Sequence, residues 1–178
     1  MNIEVRPASI EDKSILRNLM ELYNYDFSEF DGADVDAHGL YGYERIDHYW
    51  TDEGRHPFLV RVDGRLAGFV LVRTLEEPAP EPVHSIAEFF ILRKYRRLGV
   101  GKGAACRIFD LFPGRWSVAQ IESNLPAQSF WRRIITEYTG GDFEETRMDD
   151  GRFQGPVQTF NSRPTPSTNA DLSTTLHE

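Results

Sequence analysis

The chain has 178 residues, enough to bury one good core and few for two. With 40% hydrophobic and 27% charged residues it has the composition of an ordinary globular domain, and no apolar run approaches the ~20 residues of a membrane span. The formal net charge of −8 speaks against a dedicated nucleic-acid binder, which needs a cationic face. Cys106 is the single cysteine, so no internal disulfide forms, and Met1-Asn2-Ile3-Glu4-Val5 lacks the basic-then-apolar layout of a signal peptide. A reducing, cytoplasmic setting is expected, with neither a nucleic-acid nor a membrane partner.

Ile3 to Pro7 alternates as a short strand. Ser9 followed by Asp12 forms a capping-box-like start, and Ile15, Leu19, Leu22 and Tyr23 mark one apolar helix face. From Asn24 to Gly54 clean periodicity is lost. Tyrosines and phenylalanines alternate there with acids, only Arg45 opposes the acids, and a short helix is expected through Glu44 to Trp50. Phe58 to Val62 and Leu66 to Arg73 are strands joined by Asp63-Gly64, a type I′ hairpin signal. Leu75 to Pro82 is too proline-rich to pair in a sheet.

The next strand runs from Ser85 to Leu92 and enters a basic, glycine-rich turn, Arg93 to Gly103, before a helix ending near Phe112 at Pro113-Gly114. Trp116 to Ile121 is a strand. Pro126 opens a helix burying Ala127, Phe130, Trp131, Ile134 and Tyr138, closed by Gly140-Gly141. Phe143 to Met148 and Phe153 to Phe160 form a last hairpin across Asp150-Gly151, and Pro156 marks its second strand as edge or bulged. Residues 1–160 form one α/β domain. Residues 161–178 are a polar Ser/Thr/Pro tail that cannot offset its ordering entropy and is expected to be disordered.

The organising stretch is Glu88 to Ala105. A strand feeding a helix through glycines points free backbone N–H groups and the positive end of the helix dipole at one spot, which suits a phosphate. Three motifs compete for it. A Walker A loop fails because Gly103, not Ser or Thr, follows Lys102. Gly99-x-Gly101-x-x-Ala104, with Glu122 about 20 residues on, fits a dinucleotide fingerprint in spacing. Against that reading, a polar run separates its strand from the first glycine and no second nucleotide half follows.

Arg96-x-x-Gly99-x-Gly101, after Phe90-Ile91-Leu92, resembles the Gln/Arg-x-x-Gly-x-Gly/Ala signature of the GNAT superfamily of N-acetyltransferases. Asn124-x-x-Ala127-x-x-Phe130-Trp131 resembles the family's later Asn-x-x-Ala-x-x-Phe-Tyr helix, and the likeness spans roughly residues 3 to 160. The resemblance implies a mixed, mostly antiparallel central sheet of about seven strands flanked by helices, parted beyond the fourth strand. It also implies acetyl-CoA as co-substrate. Its diphosphate would lie on the Arg97, Leu98, Gly99, Val100, Gly101 and Lys102 amides, with Arg96 and Arg97 side chains as clamps. Phe89, Phe90 and Ile91 amides would polarise the thioester carbonyl, and Asn124 and Trp131 would border the cofactor arm.

An alkyl amine is less than about 0.1% neutral at pH 7, so transfer to it needs a base. Glu88, the one acid in an otherwise apolar strand, is the first candidate. Glu122 is the second and His84 a third. Trp131 stands where the family often has a tyrosine that protonates the leaving sulfur, which leaves Ser129, Tyr138, a tyrosine of the Asn24 to Gly54 segment or no general acid. The acid- and tyrosine-rich segment suits a cationic small amine or a lysine-like or N-terminal peptide amine. The five histidines lack metal-ligand spacing, so no metal is expected. The alternative function is a non-catalytic acyl-CoA-binding or sensing module. Oligomeric state stays open.

Overall fold

The computed structural model describes residues 1–75 and 81–162. The centre of the expected proline-rich loop and the tail from residue 163 lie outside the described residues. The elements are β1 (Ile3–Pro7), α1 (Lys13–Asp31), α2 (His48–Thr51), β2 (Arg55–Val62), β3 (Arg65–Leu75), β4 (Val83–Ile91), α3 (Val100–Leu111), β5 (Gly114–Ala119), α4 (Leu125–Thr139), β6 (Glu144–Asp149) and β7 (Gln154–Ser162).

The strands form one seven-stranded mixed sheet in the order β1-β2-β3-β4-β5-β7-β6. Among the described strands only β4 and β5 pair in parallel. The hairpin between β2 and β3 turns at Asp63 and Gly64, with φ of 48° and 77°, the left-handed pair that the Asp-Gly signal predicts. Strand alternation sends Phe58, Val60, Val70 and Val72 to a core under α3 and α4, with Ile108, Phe109, Trp116 and Ile134. The residues between them, Leu59, Phe69 and Leu71, join Leu16, Leu19, Met20 and Tyr49 under α1 and α2. Each sheet face therefore buries one helical layer.

Five local expectations are corrected. Helix α1 continues two turns past Tyr23, because Phe27 and Phe30 carry its aromatic stripe onward (ring centroids 6.2 Å apart) until Gly32 ends it. Leu22 falls outside the buried face and is exposed. The helix expected through Glu44 is only His48–Thr51, preceded by turns. Strand β7, expected to be an edge or a bulged strand because of Pro156, is not an edge: it lies between β5 and β6. The Pro156 carbonyl accepts from the Gln120 N–H, past the last β5–β7 pair at Ala119 and Val157. The missing proline donor would point the same way, toward the Gln120 carbonyl just past the last paired residues of β5, so it costs a single bond at the end of that ladder. The same strand reaches Ser162, so Asn161 and Ser162 pair with Arg115 and Gly114 instead of opening the tail.

Gly68 on β3 allows β4 its close approach. A Cβ there would lie 1.9 Å from the Phe90 carbonyl oxygen, a backbone atom that cannot swing away. Gly68→Ala should cost about 3 kcal/mol by forcing the strands apart, read as a Tm lower by roughly 6–12 °C. A Tm unchanged within error would show that the pairing tolerates the methyl group.

Candidate active site

Strands β4 and β5 pair at only Val83–Arg115, His84–Trp116 and Ser85–Ser117. Beyond these β5 leaves with β7, and β4 continues to Ile91 with β3 as its only strand neighbour. The Leu92 N–H donates to the Ala67 carbonyl, which sets the phase of the β3–β4 ladder. In that phase Phe90 and Glu88, opposite Phe69 and Leu71, turn their N–H groups toward β3. The N–H groups of Phe89 and Ile91 point the other way, into the gap. Phe90, expected among the carbonyl-polarising amides, is thus turned out of it. The Ile91 carbonyl, also on the gap side, accepts from Arg96 Nε at 2.7 Å.

At the end of β4 the chain makes a 3-10 turn over Arg93–Tyr95 and then enters α3. Arg97 and Gly99 both take left-handed conformations, φ 63° and 81°, which fold the backbone over the start of the helix. The first amide after Arg96 with a protein partner is that of Gly103, bonded to the Gly99 carbonyl. The N–H groups of Arg97, Leu98, Gly99, Val100, Gly101 and Lys102 have no partner among the described residues. These donors lie beside the gap.

The basic side chains around this cradle are mostly committed. Arg93 donates to Asp26 Oδ1 at 2.7 Å, and Arg96 donates to Asp26 Oδ2 while lying over the Phe90 ring. The Arg96 amide is also used, on the Arg93 carbonyl at 3.2 Å. Arg96 therefore braces the loop against α1 and offers the cradle neither its amide nor a free guanidinium. Burial works against the Asp26 charge, yet the two arginines outweigh it and hold the carboxyl below its ordinary pKa. Lys102 pairs with Glu137 on α4 at 2.5 Å. Arg97 is exposed and has no partner among the described residues, so of this loop's arginines its side chain is the one left to approach an anion.

Glu88 faces the α1 side of the sheet, next to an extra residue, Ala87, that shifts the β3–β4 register. Its Oε2 accepts from the Tyr23 hydroxyl at 2.5 Å and its Oε1 from the Tyr43 hydroxyl at 3.1 Å. No lysine or arginine pairs with it among the described residues. Burial pushes its pKa above the carboxylate range against the pull of both hydroxyls. Burial and the Glu88 charge raise both tyrosines. Tyr49 is buried beside this group, and its hydroxyl makes no hydrogen bond of normal geometry among the described residues.

The other expected residues are placed apart from Glu88. Glu122 lies past β5, its carboxylate exposed and paired with Arg147 at 2.6 Å. His84 lies in the closed part of β4, with Nδ1 3.0 Å from the Thr74 hydroxyl. The Asn124 Oδ1 caps α4 by accepting from the Ala127 N–H at 3.0 Å. Trp131 is buried against Phe89, Phe109 and Phe130. The Tyr138 hydroxyl donates to Asp110 at 2.7 Å, and Ser129 is exposed. Sequence reading missed Asp26, Tyr43 and Tyr49 as individuals, though it marked their segment as rich in acids and tyrosines. Had α1 been followed to Asp31, Tyr23 and Asp26 would have stood one turn apart on a single helix.

Among the described residues no cluster of three or more His, Cys, Asp or Glu is arranged to hold a metal ion. No described helix is long and apolar enough to cross a membrane. No curated protein matches the chain in sequence. Solved structures share its fold. The PaiA N-acetyltransferase of Thermoplasma acidophilum in complex with coenzyme A superposes with a TM-score of 0.62 at 15% identity, over 90% of this chain and 99% of that one. An aminoglycoside acetyltransferase in complex with coenzyme A gives 0.65 at 14% identity, over 90% and 95%. The ribosomal-protein-S18-alanine N-acetyltransferase of Escherichia coli gives 0.58 at 12%, over 96% and 100%. The profile of the Acetyltransferase (GNAT) family matches residues 16–135, more than half of the 178. The chain belongs to the GNAT family of acetyltransferases.

Proposed function

We propose that the protein is an acetyl-CoA-dependent N-acetyltransferase whose acceptor is a primary, cationic amine. The observation that carries this reading is the run of unpartnered amides from Arg97 to Lys102 beside a sheet that has parted. Two of the structural relatives are complexes with coenzyme A, which supports the choice of co-substrate. Acetyl-CoA supplies the activated acyl group as a thioester.

The cradle amides and the α3 dipole bind the diphosphate, with Arg97 as a mobile counter-charge. The Phe89 and Ile91 N–H groups and the Phe89 carbonyl line the gap with the pattern of a strand edge, which suits the amides of the cofactor arm and the thioester oxygen. Asn124 fixes the start of α4 along the same gap, and Trp131 is a rigid wall behind Phe89. Lys102 acts through its amide.

Glu88 is the base. Its charge is opposed by no cation among the described residues, so it attracts an ammonium group and accepts its proton. A carboxylate raised by burial is a better acceptor at neutral pH than an exposed one, while Glu122 is already paired with Arg147. The loop acids have smaller parts. Asp36 accepts from the His38 and Leu40 amides and Asp31 from that of Ala33, so they shape the loop as much as they attract cations. Tyr138 is bound to Asp110, and the thiolate, with an ordinary pKa near 8.5, leaves without an assigned acid. Trp131 in place of a tyrosine also suits a non-catalytic acyl-CoA-binding module, which turnover separates. The free thiol of Cys106 suits a cytoplasmic setting.

Coenzyme A at about 100 times its Kd should stabilise the fold by about 2.7 kcal/mol, seen as a raised Tm that NAD does not reproduce. No shift with coenzyme A would remove the cradle from the account. Glu88→Gln should retain that shift while thiol release with an amine panel falls by about 10²–10⁴-fold near neutral pH. Undiminished thiol release would exclude Glu88 as the base. A chain that binds coenzyme A yet releases no thiol with any amine would be a binding module.

A further inference from the structure

The sheet-facing stripe of α1 outruns the sheet. Leu16, Met20, Tyr23, Phe27 and Phe30 recur at helical spacing along one side of it. Leu16 and Met20 are buried in the core under this helix, and the Tyr23 ring meets Phe69 on β3 and Phe90 on β4 at 5.8 and 5.9 Å. Phe27 and Phe30 are half-buried and belong to neither core cluster. They touch their neighbours on the stripe instead, with ring centroids 5.5 Å apart from Tyr23 to Phe27 and 6.2 Å from Phe27 to Phe30. Just beyond them the Phe30 carbonyl accepts from the Ser123 hydroxyl at 3.0 Å, in the chain that has left β5. Helix α1 thus crosses from β4 at Tyr23 to the far side of the gap at Phe30, a run of about 10 Å. Under its last two rings the sheet has parted.

We propose that Phe27 and Phe30 bind the carbon skeleton of the acceptor, and that the acceptor is an arylalkyl monoamine: one ammonium group joined to an aromatic ring by a short alkyl link. This rests on the reading of the protein as an N-acetyltransferase with Glu88 as its base. Tyr23 donates its hydroxyl to Glu88 at 2.5 Å and touches Phe27 with its ring, so the carboxylate and the two phenylalanines adjoin. An ammonium group held at Glu88 therefore has its substituent beside these rings. The Phe27 and Phe30 rings lie at 70° to each other, an edge-and-face arrangement against which a third ring makes the offset or T-shaped contacts that aromatic pairs prefer. Covering the half-exposed rings with an apolar body also removes their surface from water.

The acids that flank the rings are poorly placed for a second ammonium group. Asp26 is held by Arg93 and Arg96, and Glu122, beside Ser123, is held by Arg147. Asp31 is engaged by the Ala33 amide at the end of α1, and Glu29 is exposed and lies off the stripe. The loop that carries Tyr43 is fastened along a neighbouring line of the helix. There the Tyr41 and Gly42 amides donate to Glu21, Asn24 Nδ2 donates to the Gly42 carbonyl, and the Tyr41 hydroxyl donates to Ser28. A diamine or an amino sugar would set charge or hydroxyl groups against two phenyl rings, at a cost in desolvation.

The test compares phenethylamine with ethanolamine and putrescine, by thiol release and by calorimetric titration of the full chain with and without coenzyme A. Phenethylamine should bind and react best, with kcat/KM about tenfold or more above the other two. Phe27→Ala and Phe30→Ala should each raise its Kd and KM about tenfold, keep kcat, and leave both constants for ethanolamine unchanged. With Tm as the check on folding, Phe27→Leu and Phe30→Leu replace any variant that does not fold and should show the same loss to a smaller degree. A hydrophilic amine that binds as well as phenethylamine overturns the proposal. So does an equal loss for phenethylamine and ethanolamine in the variants, or no loss for either. The titration needs no turnover, so the two readings fail separately. Phenethylamine that binds without thiol release would end the catalytic reading and keep the site for its ring, whereas thiol release that favours putrescine or ethanolamine would do the reverse.

Discussion

The structure depends on one constraint: β4 has to keep β3 on one edge and give up β5 on the other. After Ser85 and Ser117 the two parallel strands separate, because β5 is drawn into an antiparallel ladder with β7 that runs from Gly114 to Ala119. A strand edge inside a domain exposes donors and acceptors that require partners. Arg96 satisfies the Ile91 carbonyl. The N–H groups of Phe89 and Ile91 are left for water or a ligand. The amides from Arg97 to Lys102 then follow within a few residues, so an open strand edge and an open helix start adjoin.

Helix α1 links this cradle to the face where Glu88 lies. Tyr23 and Asp26 are one turn apart on it. The first holds the carboxylate, and the second holds Arg93 and Arg96 at the root of the cradle. Arg93 and Arg96 are thereby structural. They fix the loop so that its backbone, with Arg97 beside it, presents the positive potential. This arrangement suits a chain whose net charge is −8, because a fixed set of dipoles draws an anion without a broad cationic surface.

Much of this was legible in the sequence where local chemistry decides structure. Gly99 and Gly101 marked the turn into α3, Asp63-Gly64 marked a hairpin, and Asn124 with Pro126 marked the start of α4. These signals act within a few residues and leave little for the rest of the chain to override. The apolar run around Glu88 placed the acid in a strand, and its isolation there made it conspicuous. What it touches was not legible, since Tyr23 and Tyr43 reach it across 65 and 45 residues of sequence.

The misreadings have the same origin. Pro156 disfavours a strand interior only where its missing donor would be used, and that depends on where β5 ends. Asn24, Asp26, Ser28 and Glu29 broke the periodicity of α1, although the aromatic stripe through Phe27 and Phe30 carried on. Arg96 read as a phosphate clamp because Asp26, its actual partner, lies 70 residues earlier.

The central claim, that backbone donors between Arg97 and Lys102 bind the diphosphate of coenzyme A, is tested most directly by amide NMR of the ¹⁵N-labelled chain titrated with coenzyme A. The account predicts that the amides of Arg97 to Lys102 show the largest shifts and the strongest slowing of hydrogen exchange, with Phe89 and Ile91 next. Coenzyme A that binds while those amides keep their shifts and exchange rates would contradict it.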